Sequence, residues 1–327
     1  MRTLHVLSHL QPSGAARELR LLLAHDGTGA VVEALNWRRA LDPRPLWTLA
    51  ARIRQLQPDC LCVWGLAALR VVRLVSRRAF VVVRGALPRD RRRARWSRFD
   101  RWLLRGADRV LASSRAEAAA CRGAGVAEGK LRCVPPGVAV TGAQLAHADS
   151  PVIVCLGRLA PYKGFFQALW SFDILHFIDP DVELHLAGAG PDRRRLERFA
   201  ANTDLGQRIR FLGAVADIGT VLARASVVWV PSLADTGAGV ALEAMAAGRP
   251  LVASRWLGLA EIVVDGETGF LVEPGDKVAL ARRTRTLLDD EALRRRMGEA
   301  GRRRVERYFG AEQFVLGWNR ALQPLAA

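Results

Sequence analysis

The chain has 327 residues, half of them hydrophobic, which suits about two domains with sizeable cores and excludes wholesale disorder. No apolar run approaches the ~18–20 residues of a membrane span, and residues 1–7 read as a buried strand, not as a signal peptide. The net charge of +17 is uneven: residues 1–150 carry 26 Lys+Arg against 11 Asp+Glu, while residues 151–327 carry 23 against 21. There are five cysteines, without CxxC or Cys/His spacing, so no metal site is expected and the protein is placed in a reducing cytoplasm.

Short apolar strands alternate with longer helical stretches, the signature of parallel α/β units. In the first half, strands are predicted at 3–7, 30–35, 60–63, 80–83 and 109–112. Helices are predicted at 14–25, 44–57, 67–77, 91–105 and 115–123. Cys60 and Cys62 lie two apart in a strand, so they share one face and belong to the core. Val134-Pro135-Pro136-Gly137 stops regular structure, and the small, polar stretch 139–150 is read as the domain boundary. The second half restarts with strands at 152–156, 183–187, 209–212, 227–230, 251–253 and 269–272. Its helices are predicted at 165–178, 192–203, 217–224, 239–247, 259–263, 276–288, 290–307 and 311–323. The expectation is two Rossmann-like domains with parallel sheets facing across a cleft: residues 1–148, residues 149–307, and a terminal helix in 308–327 that returns to the first domain. Ligands in such sheets bind beyond the carboxyl ends of the strands.

Two loops at strand ends carry candidate chemistry. Gly157-Arg158-Leu159-Ala160-Pro161-Tyr162-Lys163-Gly164 follows the strand 152–156. Gly157 permits the turn, Arg158 offers a planar fork and Lys163 a compact charge, a pair suited to a diphosphate. The bland alternative is two solvated surface cations. The second loop, Asp235-Thr236-Gly237-Ala238-Gly239, opens a helix whose free N–H groups can cradle a phosphate or sugar hydroxyls. Glu243 lies about one turn into that helix and can accept hydrogen bonds from vicinal hydroxyls. Asp235 could equally be a capping residue, and Glu243 an exposed helix charge.

Together these stretches resemble the retaining glycosyltransferases of family 4 (glycosyl transferases group 1), which have the GT-B fold. The resemblance rests on the G-R-L-x-x-x-K-G loop, the E-x7-E pattern and the Glu243-Ala244-Met245-Ala246-Ala247-Gly248 helix. It continues through Phe211-Leu212-Gly213 and Asp265-Gly266-Glu267-Thr268-Gly269-Phe270, and it covers residues 151–307. It implies that Arg158 and Lys163 neutralise a sugar nucleotide's diphosphate and that Glu243 binds ribose hydroxyls. Asp235 stands where the family usually has its first Glu, against the donor sugar. Thr236, Gly237, Ala238 and Gly239 would face sugar and phosphate, and Val215 the base. In the first half, Ser13-Gly14-Ala15-Ala16-Arg17 is similar to the family's G-G-A-E-R loop, with Gly14 near the donor phosphate. The expected reaction is metal-independent sugar transfer with retention to a glycan or lipid-linked acceptor, with no cofactor and no nucleic acid.

The first half departs from the family at one point that bears on catalysis. Where the family often has His-Gly near the reacting centre, this chain has Arg84-Gly85, which supplies no neutral acid or base. Arg84 and His9, at the end of the first strand, are candidates for the acceptor side. Arg84 to Arg105 holds nine arginines interleaved with Trp96, Phe99 and Trp102. At 100° per residue, Trp96, Phe99, Trp102 and Leu103 are expected on one face, and Arg98, Arg101 and Arg105 on the other. That segment is either a domain helix with a solvated basic face or an element that meets an anionic membrane, peripheral to its inner face. The rival readings of the whole chain are a non-catalytic GT-B protein binding a sugar nucleotide or a protein partner, a nucleic-acid-binding protein, and a hydrolysing epimerase. Gly188-Ala189-Gly190-Pro191 is only a fragment of a dinucleotide fingerprint.

Overall fold

The computed structural model describes residues 2–8, 14–25, 30–36, 43–76, 80–85, 96–140, 151–203, 205–234, 238–256 and 258–323. The chain divides into two compact units, Met1–Gly137 with Ala311–Ala327, and Val138–Gly310.

In the first unit, among the described residues, the chain order is β1 (Thr3–Leu7), α1 (Gly14–His25), β2 (Val31–Ala34), α2 (Arg44–Leu56), β3 (Cys60–Trp64) and α3 (Leu66–Val75). There follow β4 (Phe80–Arg84), α4 (Arg98–Arg105), β5 (Arg109–Ala112), α5 (Arg115–Gly123) and β6 (Leu131–Cys133). The strands form one parallel sheet in the order β2-β1-β3-β4-β5-β6. Alternation along each strand divides the core. Leu4, Val6, Leu61, Val63, Val81 and Val83 face one side, with α2, α3, α4 and α5 packed there. Leu7, Cys60, Cys62, Trp64, Val82 and Leu111 face the other.

That second face is covered by α1 and by a helix from the far end of the chain, α13 (Ala311–Leu322). Phe314, Trp318 and Ala321 of α13 are buried. Trp318 stacks on Trp64 with ring centroids 5.2 Å apart and planes 6° from parallel. Trp64 Nε1 donates to His5 Nδ1 at 3.2 Å.

The second unit contains β7 (Val152–Leu156), α6 (Phe165–Ile178), β8 (Glu183–Ala187), α7 (Arg193–Ala201), β9 (Ile209–Gly213) and α8 (Ile218–Ala223). It continues with β10 (Val227–Val230), α9 (Ala238–Ala246), β11 (Leu251–Ser254), α10 (Leu259–Ile262), β12 (Phe270–Val272), α11 (Lys277–Asp289) and α12 (Glu291–Tyr308). Its parallel sheet has the order β12-β11-β10-β7-β8-β9. One face packs α6, α7 and α11, and the fully buried Trp229 there donates Nε1–H to Thr284 Oγ1 at 2.6 Å. The opposite face packs α9, α10 and α12. The Val138 amide donates to the Phe309 carbonyl at 2.9 Å, so the second unit begins ahead of the 139–150 stretch.

One element was not predicted, and one local expectation needs correction. A strand at 131–133 had no signal in the sequence, because three residues with one buried apolar side chain carry no periodicity. The helix expected from residue 91 is described only from Arg98, and residues 86–95 lie outside the described residues. Ser97 caps it by accepting the Asp100 amide at 3.0 Å. Burial alone would raise the Asp100 carboxyl, but hydrogen bonds from Arg70 and Ser97 outweigh it and hold the group below its ordinary range.

This start fixes the inner face as Asp100, Leu103 and Leu104. Trp96 is buried outside the helix, while Phe99 and Trp102 turn outward, 50% and 64% exposed, and stack on each other at 5.8 Å. The expected aromatic face is therefore split between core and solvent.

Removing the α13 indole opens a large cavity. Trp318→Ala is expected to destabilise the first unit by about 3–5 kcal/mol, seen as a lower urea midpoint, with Trp318→Phe recovering part of the loss.

Candidate functional site

In the second sheet the chain leaves β7 toward β8 and later leaves β10 toward β11, on opposite sides. The crevice between the carboxyl ends of β7 and β10 is thus the topological switch point, where parallel α/β sheets take ligands. Both candidate loops begin at this crevice.

The two loops are joined through the backbone. The Tyr162 carbonyl accepts the Leu233 amide at 2.8 Å and the Ala234 amide at 3.3 Å. Gly164 adopts the left-handed conformation, φ 76°, at the start of α6. A Cβ there would overlap the Pro231 carbonyl oxygen, so the first loop lies directly on the second. Lys163 closes a 3-10 turn, Pro161–Lys163, one residue before α6 begins. It is held half-buried where the helix starts, while Arg158 is exposed. Burial pushes the Cys155 thiol up, and the Lys163 ammonium pulls it the other way, so the lysine charge is felt at the end of β7.

A third loop supports the first. The Gly188 amide donates to the Gly213 carbonyl at 2.6 Å, and a Cβ on Gly188, φ 148°, would overlap the Gly157 carbonyl oxygen. The Leu159 amide donates to the Ala189 carbonyl at 3.0 Å. The Gly188-Ala189-Gly190 run therefore serves close packing against the G-R-L loop. Sequence reasoning left those glycines without a role, and only the position after β8 hinted at one.

The remaining candidates fall as follows. Ala238 and Gly239 form the first turn of α9, both half-buried. Glu243 is half-buried one turn further on, with its Oε2 buried. Val215 packs against the core beneath the end of β9. Asp235, Thr236, Gly237 and His9 lie outside the described residues. Gly14 is the exposed first residue of α1.

Arg84 is not an open acceptor-side cation. It is buried in the first unit, with Nε 2.9 Å from Glu18 Oε2 and Cζ 5.6 Å from the Phe314 ring centroid. Its Nη1 donates to the Val134 carbonyl. It thereby ties α1, the segment after β6 and α13 together.

Arg98, Arg101 and Arg105 are exposed on α4, and Arg105 Nε also donates to the Ala124 carbonyl at 3.1 Å. Asp179 and Asp181, two apart in the turn between α6 and β8, each face an arginine, Arg285 at 3.5 Å and Arg208 at 3.3 Å. Among the described residues, no three His, Cys, Asp or Glu side chains gather in a metal-binding group. A hollow of about 240 Å³ at the carboxyl end of β2 is lined by Glu33, Asn36, Arg44 and Thr48, which the sequence did not single out.

A two-unit α/β chain with a cationic loop at the switch point of its second sheet is the architecture of the GT-B class. The profile described as "Glycosyl transferases group 1" matches residues 142–304, and that described as "Glycosyltransferase Family 4" matches residues 3–141. The chain belongs to this glycosyltransferase family.

It is similar to the lipopolysaccharide core biosynthesis glycosyltransferase LpsE of Rhizobium meliloti, 34% identical over 176 residues, 54% of this chain and 51% of LpsE. It is also similar to the D-inositol 3-phosphate glycosyltransferase of Streptomyces avermitilis, 31% identical over 248 residues, 68% of this chain and 52% of that protein. The chain spans about half the length of the curated relatives it matches. Among solved structures, Anabaena HepE in complex with UDP and glucose superposes with a TM-score of 0.84 at 20% identity, covering 99% of this chain and all of HepE. Sucrose-phosphate synthase from Thermosynechococcus elongatus gives 0.84 at 22% identity, covering 100% and 99% of the two chains. At these identities the likeness shows the fold alone.

Replacing Gly164 by Ala forces a side chain into a left-handed position, about 1–2 kcal/mol from the backbone alone, and pushes it into Pro231. We expect Gly164→Ala to lower the melting temperature more than Ala substitution of the exposed Arg194, by differential scanning calorimetry.

Proposed function

We propose that this chain is a retaining, metal-independent glycosyltransferase that moves a sugar from a nucleoside diphosphate to a glycan or lipid-linked acceptor. The observation that carries the reading is the backbone junction between the Arg158–Lys163 loop and the loop after β10, at the switch point of the second sheet.

Breaking the donor's glycosidic bond leaves an oxocarbenium-like sugar and a departing diphosphate. The diphosphate needs positive charge as the bond breaks. Arg158 provides a bidentate fork, Lys163 a point charge, and the first turn of α9 the N–H groups of a helix start. Glu243 accepts hydrogen bonds from ribose hydroxyls one turn along α9. Asp235 would meet the donor sugar, one methylene shorter than a glutamate.

The names of relatives support a lipid-linked acceptor, since they include a lipopolysaccharide core enzyme and a phosphatidylinositol monomannoside mannosyltransferase. The outward Phe99, Trp102, Arg98 and Arg101 of α4 suit contact with an anionic membrane surface on the acceptor side. A second reading, a non-catalytic sugar-nucleotide binder, draws on Arg84. It stands where the family often has a histidine and is committed to Glu18 and the Val134 carbonyl.

Saturation-transfer NMR against UDP-, GDP-, ADP- and TDP-sugars separates these readings. One donor should bind and be hydrolysed slowly. Lys163→Ala and Arg158→Ala should each lower turnover roughly 10²–10³-fold, as for removal of a preorganised charge-stabilising group. Wild-type turnover in a folded Lys163→Ala variant contradicts the proposed role. Donor binding without any turnover supports the non-catalytic reading.

A further inference from the structure

α6 is the central helix on one face of the second sheet, with α7 and α11 packed on the same face. Ten of its fourteen residues are apolar, distributed around the whole helix. A helix apolar on every side is ordinarily covered on every side. Here Phe165, Leu169, Phe172 and Leu175 enter the core, but the outer face stays open. Trp170 is 46% exposed, Phe177 91% and Ile178 56%, and Ile174 lies between them on the same stripe. The spacing of 170, 174, 177 and 178 puts these four on one side of the helix.

The flanks are cationic. α6, α7 and α11 together carry eight Lys+Arg and three Asp+Glu. Arg194 and Arg198 of α7, and Lys277 and Arg282 of α11, are exposed on the two sides of α6. Lys277 Nζ lies 5.4 Å from the Trp170 ring centroid, and Arg195 Cζ lies 4.4 Å from that of Phe166. Phe199 of α7 packs edge-on against Trp170 at 5.1 Å. Charged heads thus sit beside the apolar stripe, on stems long enough to reach outward from it.

We propose that this outer face of α6 docks on an anionic lipid surface, with Trp170, Ile174, Phe177 and Ile178 entering the headgroup–acyl boundary. Arg194, Arg198, Lys277 and Arg282 then engage the headgroups on either side. An apolar, aromatic helix face between basic flanks is the pattern of interfacial elements, whose binding adds buried apolar area to charge attraction. A second copy of the chain is the poorer occupant, because a two-fold contact would bring the same cationic flanks together. The proposal needs neither donor chemistry nor the α4 surface of the first unit.

The test is co-sedimentation with vesicles of phosphatidylglycerol and phosphatidylcholine in equal parts, against phosphatidylcholine alone. Wild type should bind the anionic vesicles preferentially. Ile174→Glu with Phe177→Glu should weaken that binding by roughly tenfold or more, by removing two insertions and adding two repelled charges. An unchanged circular dichroism spectrum and urea midpoint in the same variant show that its second unit is folded, so failure here stays distinct from failure of the donor site. Trp102→Ala on α4 serves as the comparison.

Three results would overturn the proposal: wild type that ignores anionic vesicles, binding that survives the α6 variant, or binding lost only in the α4 variant. Light scattering that shows a dimer dissociated by the α6 variant would also overturn it, and would assign the face to a second copy.

Discussion

The carbonyl of Tyr162 accepts two amides from the loop that follows β10, and the rest of the candidate site is arranged around that junction. It sets the distance between the two loops that flank the switch point. Gly164 permits the approach from one side and Gly188 from another, each leaving no room for a side chain. Lys163 is thereby fixed half-buried at the start of α6, while the neighbouring Arg158 stays exposed. Backbone geometry thus fixes where the Lys163 stem leaves the chain, beside the loop that follows β10.

Most of the fold was legible because the signals are local. Apolar strands such as Val152–Leu156 and Val227–Val230 are buried on both faces and read as unbroken runs. The helices 14–25 and 115–123 fall where periodicity and flanking residues put them. Misreadings arose where the decisive partner is distant in sequence. Arg84 reads as a spare cation until Glu18 and Phe314 close around it. Trp102 reads as core until Ser97 sets the helix start and turns the residue outward. Gly188 has no role until the Gly157 carbonyl is found against it. The outer stripe of α6 was invisible for another reason: a segment apolar on all sides has no periodicity to tell its open face from its buried one.

The charge asymmetry gains a structural meaning. The first unit holds most of the excess positive charge, and some of its arginines are structural, as Arg70 with Asp100 and Arg84 with Glu18 illustrate. The near-neutral second half conceals a local imbalance on one side of its sheet, where the basic faces of α7 and α11 border an apolar helix. Net charge per domain therefore understates what a single face presents to a partner.

The central claim is that the joined loops of the second unit receive the nucleoside diphosphate. Hydrogen–deuterium exchange with and without saturating UDP, and separately GDP, tests it most directly. The account predicts slowed exchange across 158–164, at Leu233 and Ala234, and in the first turns of α9 for at least one nucleotide. Protection confined to the hollow around Glu33, Asn36 and Arg44 of the first unit, with those loops unchanged, would contradict it.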